Sequence, residues 1–251
     1  MAVLAQKVAL VTGGTGGIGR AAAIALARAG ARVVVTGRRA DEGRETVELV
    51  RAAGGDCRFV RSDITVAADV ENAVAFTVAE FGRLDIAFNN AGVDGALTSI
   101  ADDTEENFDR IFSTNVKGVW LSLKYEIRQF QKQGGGGSII NNSSIYGSRG
   151  TAFQANYAAA KHAVEGYTKA AALEVAALGI RVNAIAPGYT RTAMINQHLN
   201  PEVEQFMISG QPLGRLANPE ETADAVVFLA SDASSFITGA SLPIDGGFLA
   251  K

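Results

Sequence analysis

One cysteine and two histidines stand among 251 residues, and each scarcity removes a class of protein. A lone Cys57 cannot form an internal disulfide, which fits a reducing compartment. It reads as a small packed residue near a strand start. His162 and His198 are the only histidines. With no close ligand cluster, no metal site is expected. No apolar run reaches the roughly 18 residues of a membrane span. The opening Met-Ala-Val-Leu-Ala-Gln-Lys-Val lacks the charged region and cleavage site of an export signal. A cytoplasmic protein without a membrane partner is therefore expected. There is no long basic run either, and the net charge of −3 argues against nucleic acid as a partner. Arg38-Arg39 is the one basic pair that looks pointed.

Glycine, by contrast, is plentiful and patterned. The β-prone run Lys7 to Val11 leads straight into Thr12-Gly13-Gly14-Thr15-Gly16-Gly17-Ile18-Gly19. An alanine-rich helix former follows and stops at Gly30, and Arg32 to Thr36 is a second β-branched run. Strand, Gly-rich turn, helix and strand within about thirty residues form the unit that binds dinucleotides. Glycines let the backbone approach a pyrophosphate, and the helix start presents unpaired N–H groups to it. Two registers fit the loop: Gly14-x-Gly16-x-x-Gly19 and the wider Gly13-x-x-x-Gly17-x-Gly19.

The alternation continues. Strands are predicted at Cys57–Ser62, Leu84–Phe88, Ser138–Asn142, Ile180–Ala186 and Ala240–Ile244. Helices are predicted at Val66–Phe81, Thr104–Gln133, Gln154–Leu178 and Glu220–Ser231. Residues 190–216 are less periodic. Such alternation implies a parallel β-sheet flanked by helices on both faces. No linker-like stretch or solenoid repeat divides the chain, so 1–251 reads as a single domain. Ligands of such sheets bind beyond the carboxyl ends of the strands. That rule gathers the Gly-rich loop, Asp63, Asn90, Ser143-Ser144 and Pro187-Gly188 onto one rim.

One pair on that rim carries chemistry. Tyr157 and Lys161 lie four apart in a helical segment and so share a face. An ammonium beside a phenol favours the phenolate, so the pKa of Tyr157 is expected to fall below its ordinary value of about 10. A tyrosine tuned toward neutrality can exchange protons with a substrate oxygen.

Thr12-Gly-x-x-x-Gly17-x-Gly19, Asn89-Asn90-Ala91-Gly92, Ser144, Tyr157-x-x-x-Lys161 and Pro187-Gly188 together resemble the short-chain dehydrogenase/reductase family, from about residue 5 to the end. The resemblance implies a single-domain doubly wound Rossmann-type fold, NAD(P)-dependent oxidoreduction and often a homotetramer. It implies that Ser144, with Ser143 as the lesser alternative, is the catalytic serine. Tyr157 would be the acid/base, Lys161 its partner and binder of the nicotinamide ribose, and Asn115 the holder of a water near the lysine. Gly13, Thr15, Gly17, Ile18, Gly19, Asn90, Ala91, Gly92, Pro187 and Gly188 would line the cofactor site. Asp63 and Ile64 would touch adenine, although Asp63 could instead cap the following turn. Thr190 and Thr192 resemble positions that touch the nicotinamide carboxamide.

An NAD site usually has an acid after the second strand, on the ribose 2′-hydroxyl. Here Gly37 stands there and Arg38 follows. An arginine fork can pair a 2′-phosphate, with Thr15 adding a hydroxyl, so NADPH is expected over NADH. Tyr146, Phe153, Tyr189, Met194, Ile195, Leu199, Phe206, Met207 and Ile208 suggest a mainly apolar pocket under a mobile cover over 190–216, suited to a small-molecule ketone, aldehyde or alcohol. A carbonyl reductase or alcohol dehydrogenase is the leading reading. A 3-oxoacyl carrier-protein reductase, a sugar or polyol dehydrogenase and a non-catalytic NADP-binding sensor are the alternatives. His162 points about 100° round the helix from Lys161 and His198 reads as a surface residue. Trp120 and the small residues Ala159, Ala163 and Ala170 read as core or subunit interface.

Overall fold

The computed structural model describes residues 2–197 and 199–251. They form a parallel seven-stranded sheet in the order β3-β2-β1-β4-β5-β6-β7. The strands are β1 (Val8–Thr12), β2 (Arg32–Gly37), β3 (Asp56–Arg61), β4 (Ile86–Asn89), β5 (Gly137–Asn142), β6 (Ile180–Pro187) and β7 (Ser241–Ile244). From β1 the chain winds outward through β2 to β3, then returns to lay β4 on the other side of β1. That reversal opens a crevice at the carboxyl ends of β1 and β4, where Val11 pairs with both Val35 and Phe88.

The strands read as continuous apolar runs because both sheet faces are covered. All five residues of β1 are buried, and their alternation sorts them into two cores. Ala9 and Val11 join Val33 and Val35 under α1 (Gly17–Arg28), α2 (Ala40–Ala52) and α9 (Pro219–Ala230). Val8, Leu10 and Val34 meet α3 (Ala67–Phe81), α5 (Gly118–Gln133) and α6 (Ala155–Val175) on the other face. Ala22, Ala23 and Ala27 of α1 pack with Ala223, Val226 and Ala230 of α9 in the first core. Small side chains on both helices permit that close approach.

Three features depart from the sequence reading. Helix α2 was not expected, because Ala40–Ala52 is charged and carries Gly43. Its buried stripe is only Gly43, Thr46, Val47 and Val50, and a Cβ at Gly43 would lie 2.3 Å from the Phe59 ring. The predicted helix Thr104–Gln133 is α4 (Glu105–Phe112) and α5 joined through a π-helical turn, Ser113–Lys117. The irregular stretch after β6 contains α7 (Ala193–Asn196) and α8 (Pro201–Gly210), whose starts are capped by Thr192 and Asn200. No helix among the described residues is long and apolar enough to cross a membrane.

Candidate active site

The Gly-rich turn is held by backbone contact. Gly13 has φ +67°, and a Cβ there would lie 2.8 Å from Ala91 Cα. A Cβ at Gly19 would lie 2.3 Å from the Gly13 carbonyl oxygen. Gly14 is confined as well, with a Cβ 2.7 Å from Val35, but the positive φ of Gly13 and Gly17 belongs to the wider register. Gly16 of the narrower one faces nothing closer than Arg39 at 3.5 Å. Helix α1 then starts with no side-chain cap and no acid in its first turn. An uncapped, acid-free helix start beside a turn without Cβ atoms fits a bound pyrophosphate. Ile18 sits half-buried at that start and packs into the first core.

Asn90 binds the turn to the neighbouring strands. Its Nδ2 donates to the carbonyls of Thr12 and Gly13 at 3.0 and 3.1 Å. Its Oδ1 accepts from Asn142, while Thr12 Oγ1 accepts from the amides of Asn90 and Ala91. The expected cofactor residue is thus, by its side chain, a bracket for the turn. Asp63 caps the turn after β3: its Oδ1 accepts from the Thr65 amide and hydroxyl. Burial works against its charge, but the Thr65 bonds and the charges of Arg38 and Arg61 hold the carboxyl below its usual range. Ile64 packs where Gly118 lacks a Cβ.

The two arginines after β2 take different places. Arg38 is exposed and touches the site through its charge on Asp63. Arg39, which the sequence reading noted with Arg38 but gave no cofactor role, donates from Nη2 to Thr15 Oγ1 at 3.2 Å and pairs with Glu42 at 3.5 Å. Thr15 in turn packs at Gly37, where a Cβ would lie 2.5 Å from its methyl. No carboxylate stands at the end of β2.

Across the crevice, the end of β5 leads to Ser144 and the first turn of α6 delivers Tyr157, close enough that the Ser144 hydroxyl acts on the phenol and favours its ionised form. Ser144 Oγ also accepts the Tyr146 amide at 3.2 Å. The hydroxyl of Ser143 lies instead where Gly147 lacks a Cβ, on the Glu165 side. One turn beyond Tyr157, buried Lys161 donates from Nζ to the Asn142 carbonyl at 2.8 Å. Burial brings Lys161 down to about 8, with Glu165 acting the other way. Asn115, in the π-helical turn, spends both side-chain atoms on Val93, at 2.8 Å from its amide and carbonyl. Its side chain is therefore committed to the backbone of Val93 rather than to a water near the lysine. A Cβ on Gly92 would lie 3.2 Å from Asn115 Oδ1 and 3.9 Å from Lys161 Nζ, so the three residues adjoin.

The pKa expectation for Tyr157 is reversed in the protein alone. Burial pushes the phenol up to about 12, with the Ser144 hydroxyl working downward and Asp94 and Tyr146 upward. The Lys161 ammonium lies over the ring, 5.6 Å from the centroid, with its hydrogen bond directed to the Asn142 carbonyl rather than to the phenol oxygen. The phenol is therefore held protonated by the chain's own residues.

The last wall comes from the end of β6. The Gly188 amide donates to Ile244, and a Cβ there would lie 2.4 Å from Gln211. Buried Thr190 donates to the Gly188 carbonyl. A Cβ at Gly17 would lie 3.3 Å from the Thr192 methyl, so the chain after Pro187 arches back over the Gly-rich turn. Tyr146 and Tyr189 share a hydrogen bond between hydroxyls at 2.6 Å. Phe248, which the sequence reading also missed, meets both rings edge-on. Nothing local in the sequence marks Phe248, which reaches the site only through the path of β7. His162 is outside this cluster, bonded to the Ala158 carbonyl, and His198 lies outside the described residues. Buried Cys57, whose thiol burial pushes up to about 12, lies in the first core. Trp120, Ala159 and Ala170 are exposed and Ala163 half-buried, so they are not core.

Fold and rim together define a dinucleotide-binding α/β protein with a Ser-Tyr-Lys cluster at its topological switch point. Residues 13–249 match the family described as enoyl-(acyl carrier protein) reductase. The chain is 43% identical to the A-factor type gamma-butyrolactone 1'-reductase (1S-forming) of Streptomyces virginiae, over 98% of this chain and 96% of that one. It is 42% identical to a 2,5-dichloro-2,5-cyclohexadiene-1,4-diol dehydrogenase of Sphingobium indicum, over the full length of both. A short-chain type dehydrogenase/reductase from Mycobacterium marinum superposes with TM-score 0.95 at 37% identity, covering 99% of this chain and 97% of that one. The chain belongs to the short-chain dehydrogenase/reductase family. It is an oxidoreductase of a family that uses nicotinamide cofactors.

Proposed function

We propose that this protein interconverts a ketone or aldehyde and the corresponding alcohol, with NADPH preferred and Tyr157 as acid/base. The observation that carries the reading is the gathering of Ser144, Tyr157 and Lys161 on the rim of the Gly-rich turn, with Lys161 Nζ 5.6 Å from the Tyr157 ring centroid and bonded to the Asn142 carbonyl at 2.8 Å. Gly13, Gly17, Ile18 and Gly19 would hold the pyrophosphate, Asp63 and Ile64 the adenine, and Tyr157 and Lys161 the nicotinamide ribose. Ala91, Gly92, Pro187, Gly188, Thr190 and Thr192 would border the nicotinamide. When bound, the nicotinamide supplies or takes up the hydride.

In the reductive direction the neutral Tyr157 phenol gives its proton to the carbonyl oxygen. Ser144 donates a hydrogen bond to the same oxygen as negative charge develops there. Oxidation reverses both roles and needs the phenolate, so positive charge must be brought to a phenol that now stands at about 12. Each unit of lowering requires about 1.4 kcal/mol. Lys161, freed from the Asn142 carbonyl, is the nearest source within the chain. Measurement of NADPH oxidation against ketones, aldehydes, acyl thioesters and sugars tests the reading, and absence of turnover on every class would favour a non-catalytic sensor.

NADPH preference rests on Gly37, Arg38 and Arg39 at the end of β2, with Arg39 already on Thr15. A higher kcat/KM with NADH would overturn it. For substrate, the two relatives' names denote ring compounds carrying oxygen at more than one position. We take a ring ketone or secondary alcohol as the substrate class here. A second reading is reduction of a 3-oxoacyl carrier-protein thioester, which shares with the family description only the acyl carrier-protein thioester, and the acyl-thioester arm of the same panel separates it. The whole chain would act as one dinucleotide-binding and catalytic domain in the cytoplasm, with 190–216 covering the substrate. A homotetramer is proposed from the family to which the chain belongs, with the exposed Trp120 on α5 as a candidate contact. Light scattering in solution tests it.

A further inference from the structure

We infer that the hydroxyl pair Tyr146–Tyr189 recognises a second oxygen on the substrate ring, remote from the carbonyl that reacts. The inference rests on the ring-ketone reading above and specifies it. Two phenols carry two O–H hydrogens, and the bond between them uses one. The 2.6 Å contact therefore leaves one donor and open lone pairs at the pair. Among the described residues neither hydroxyl has a further partner. Both residues are only half-buried, so the pair is not sealed inside a core.

The pair stands beside the reacting centre. Tyr146 follows Ser144 by two residues, its amide bonded to Ser144 Oγ at 3.2 Å, and its phenol acts electrostatically on Tyr157. Tyr189 enters from the opposite wall, just after Pro187-Gly188. The pair is also stiff. Phe248 meets the two rings edge-on, with centroids at 6.2 and 6.0 Å and planes at 87°. Arg149 stacks over Phe248 at 5.3 Å. Behind them, a Cβ on Gly210 would lie 3.1 Å from Phe248, so the end of α8 is moulded to the aromatic trio. Burial and the Tyr146 bond hold the Tyr189 phenol above its ordinary pKa, which keeps it a neutral donor. A preformed donor of this kind distinguishes a ring that bears a distal hydroxyl or carbonyl from one that does not, because the unsubstituted ring leaves the donor unmatched.

The test compares 4-hydroxycyclohexanone with cyclohexanone as the ratio of kcat/KM values, in the wild type and in Tyr189→Phe and Tyr146→Phe. Each phenylalanine keeps the ring and removes one hydroxyl. The wild-type ratio is expected to be about tenfold and to fall toward one in either variant. A merely structural role would lower both ketones together and leave the ratio standing. A wild-type ratio near one, or a ratio that survives both substitutions, overturns the inference while the ring-ketone reading stands. Turnover of neither ketone overturns both.

Discussion

The two halves of the crevice are built by different means. The half beneath the cofactor site is backbone against backbone: Gly13 against Ala91, Gly19 against the Gly13 carbonyl, Asn90 bracketing both. The half facing the substrate is side chain against side chain, drawn from distant segments: Tyr146, Tyr189, Phe248 and the exposed α7–α8 stretch. A diphosphate common to all dinucleotides is met by main-chain groups that any sequence with the right glycines can present. A particular substrate is met by side chains, which can change without disturbing the strands beneath. The pair proposed for catalysis sits on the seam, with Ser144 just past the end of β5 and Tyr157 on α6.

Substitution at the seam should give the largest effect. Tyr157→Phe keeps the ring and removes only the proton carrier, and should lower kcat by about 10²–10⁴-fold with little change in thermal midpoint. Retention of most wild-type turnover would remove Tyr157 from the chemistry. The two halves should then separate on stability. Gly19→Ala places a methyl 2.3 Å from a carbonyl oxygen and should cost about 1–3 kcal/mol in urea unfolding, together with dinucleotide affinity. Phe206→Ala in α8 removes a side chain that is 70% exposed and should stay within about 0.5 kcal/mol. Equal costs at the two positions would erase the distinction.

Legibility in the sequence followed the same divide. Backbone-built features leave local patterns, so the Gly-rich turn, the Tyr157–Lys161 spacing and the positions of the seven strands along the chain could be read from the residues in a row. What escaped was set by tertiary contact. Helix α2 is amphipathic only once Phe59 fills the place of a Cβ at Gly43. Phe248 enters the aromatic trio from the far end of the chain. Tyr157 was expected to be acidified by a neighbour four residues on, but the direction of the ammonium, toward Asn142, is a matter of three-dimensional aim. Cofactor preference is the intermediate case. The basic pair after β2 was visible, yet which arginine meets Thr15 was not. Arg39→Ala should lower the NADPH-to-NADH ratio of kcat/KM by about 10–100-fold, and by more than Arg38→Ala does. The reverse order would return the role to Arg38.

An effect on stability alone lies beneath the backbone-built half, where a charge-capable group is buried. Asn89, at the end of β4, donates at 3.0 Å to both Glu126 of α5 and Asn141 of β5, and Asn141 donates to Thr168 of α6. Burial pushes the Glu126 carboxyl up to about 7, with the Asn89 bond acting the other way. In the unfolded chain the same group titrates near 4.5. Between those values the folded protein binds the extra proton, so stability falls as pH rises from about 4.5 to about 7. Above 7 the penalty is complete and constant. Glu126→Gln keeps the shape and an acceptor for Asn89 but cannot ionise. It should flatten this part of the stability profile and leave the variant about 1–2 kcal/mol more stable than wild type at pH 8, with little difference at pH 4.5. Urea midpoints at the two pH values read both terms. A variant less stable than wild type at pH 8 would mean that the ionised carboxylate, not its protonated form, holds β4 and β5 to their helices.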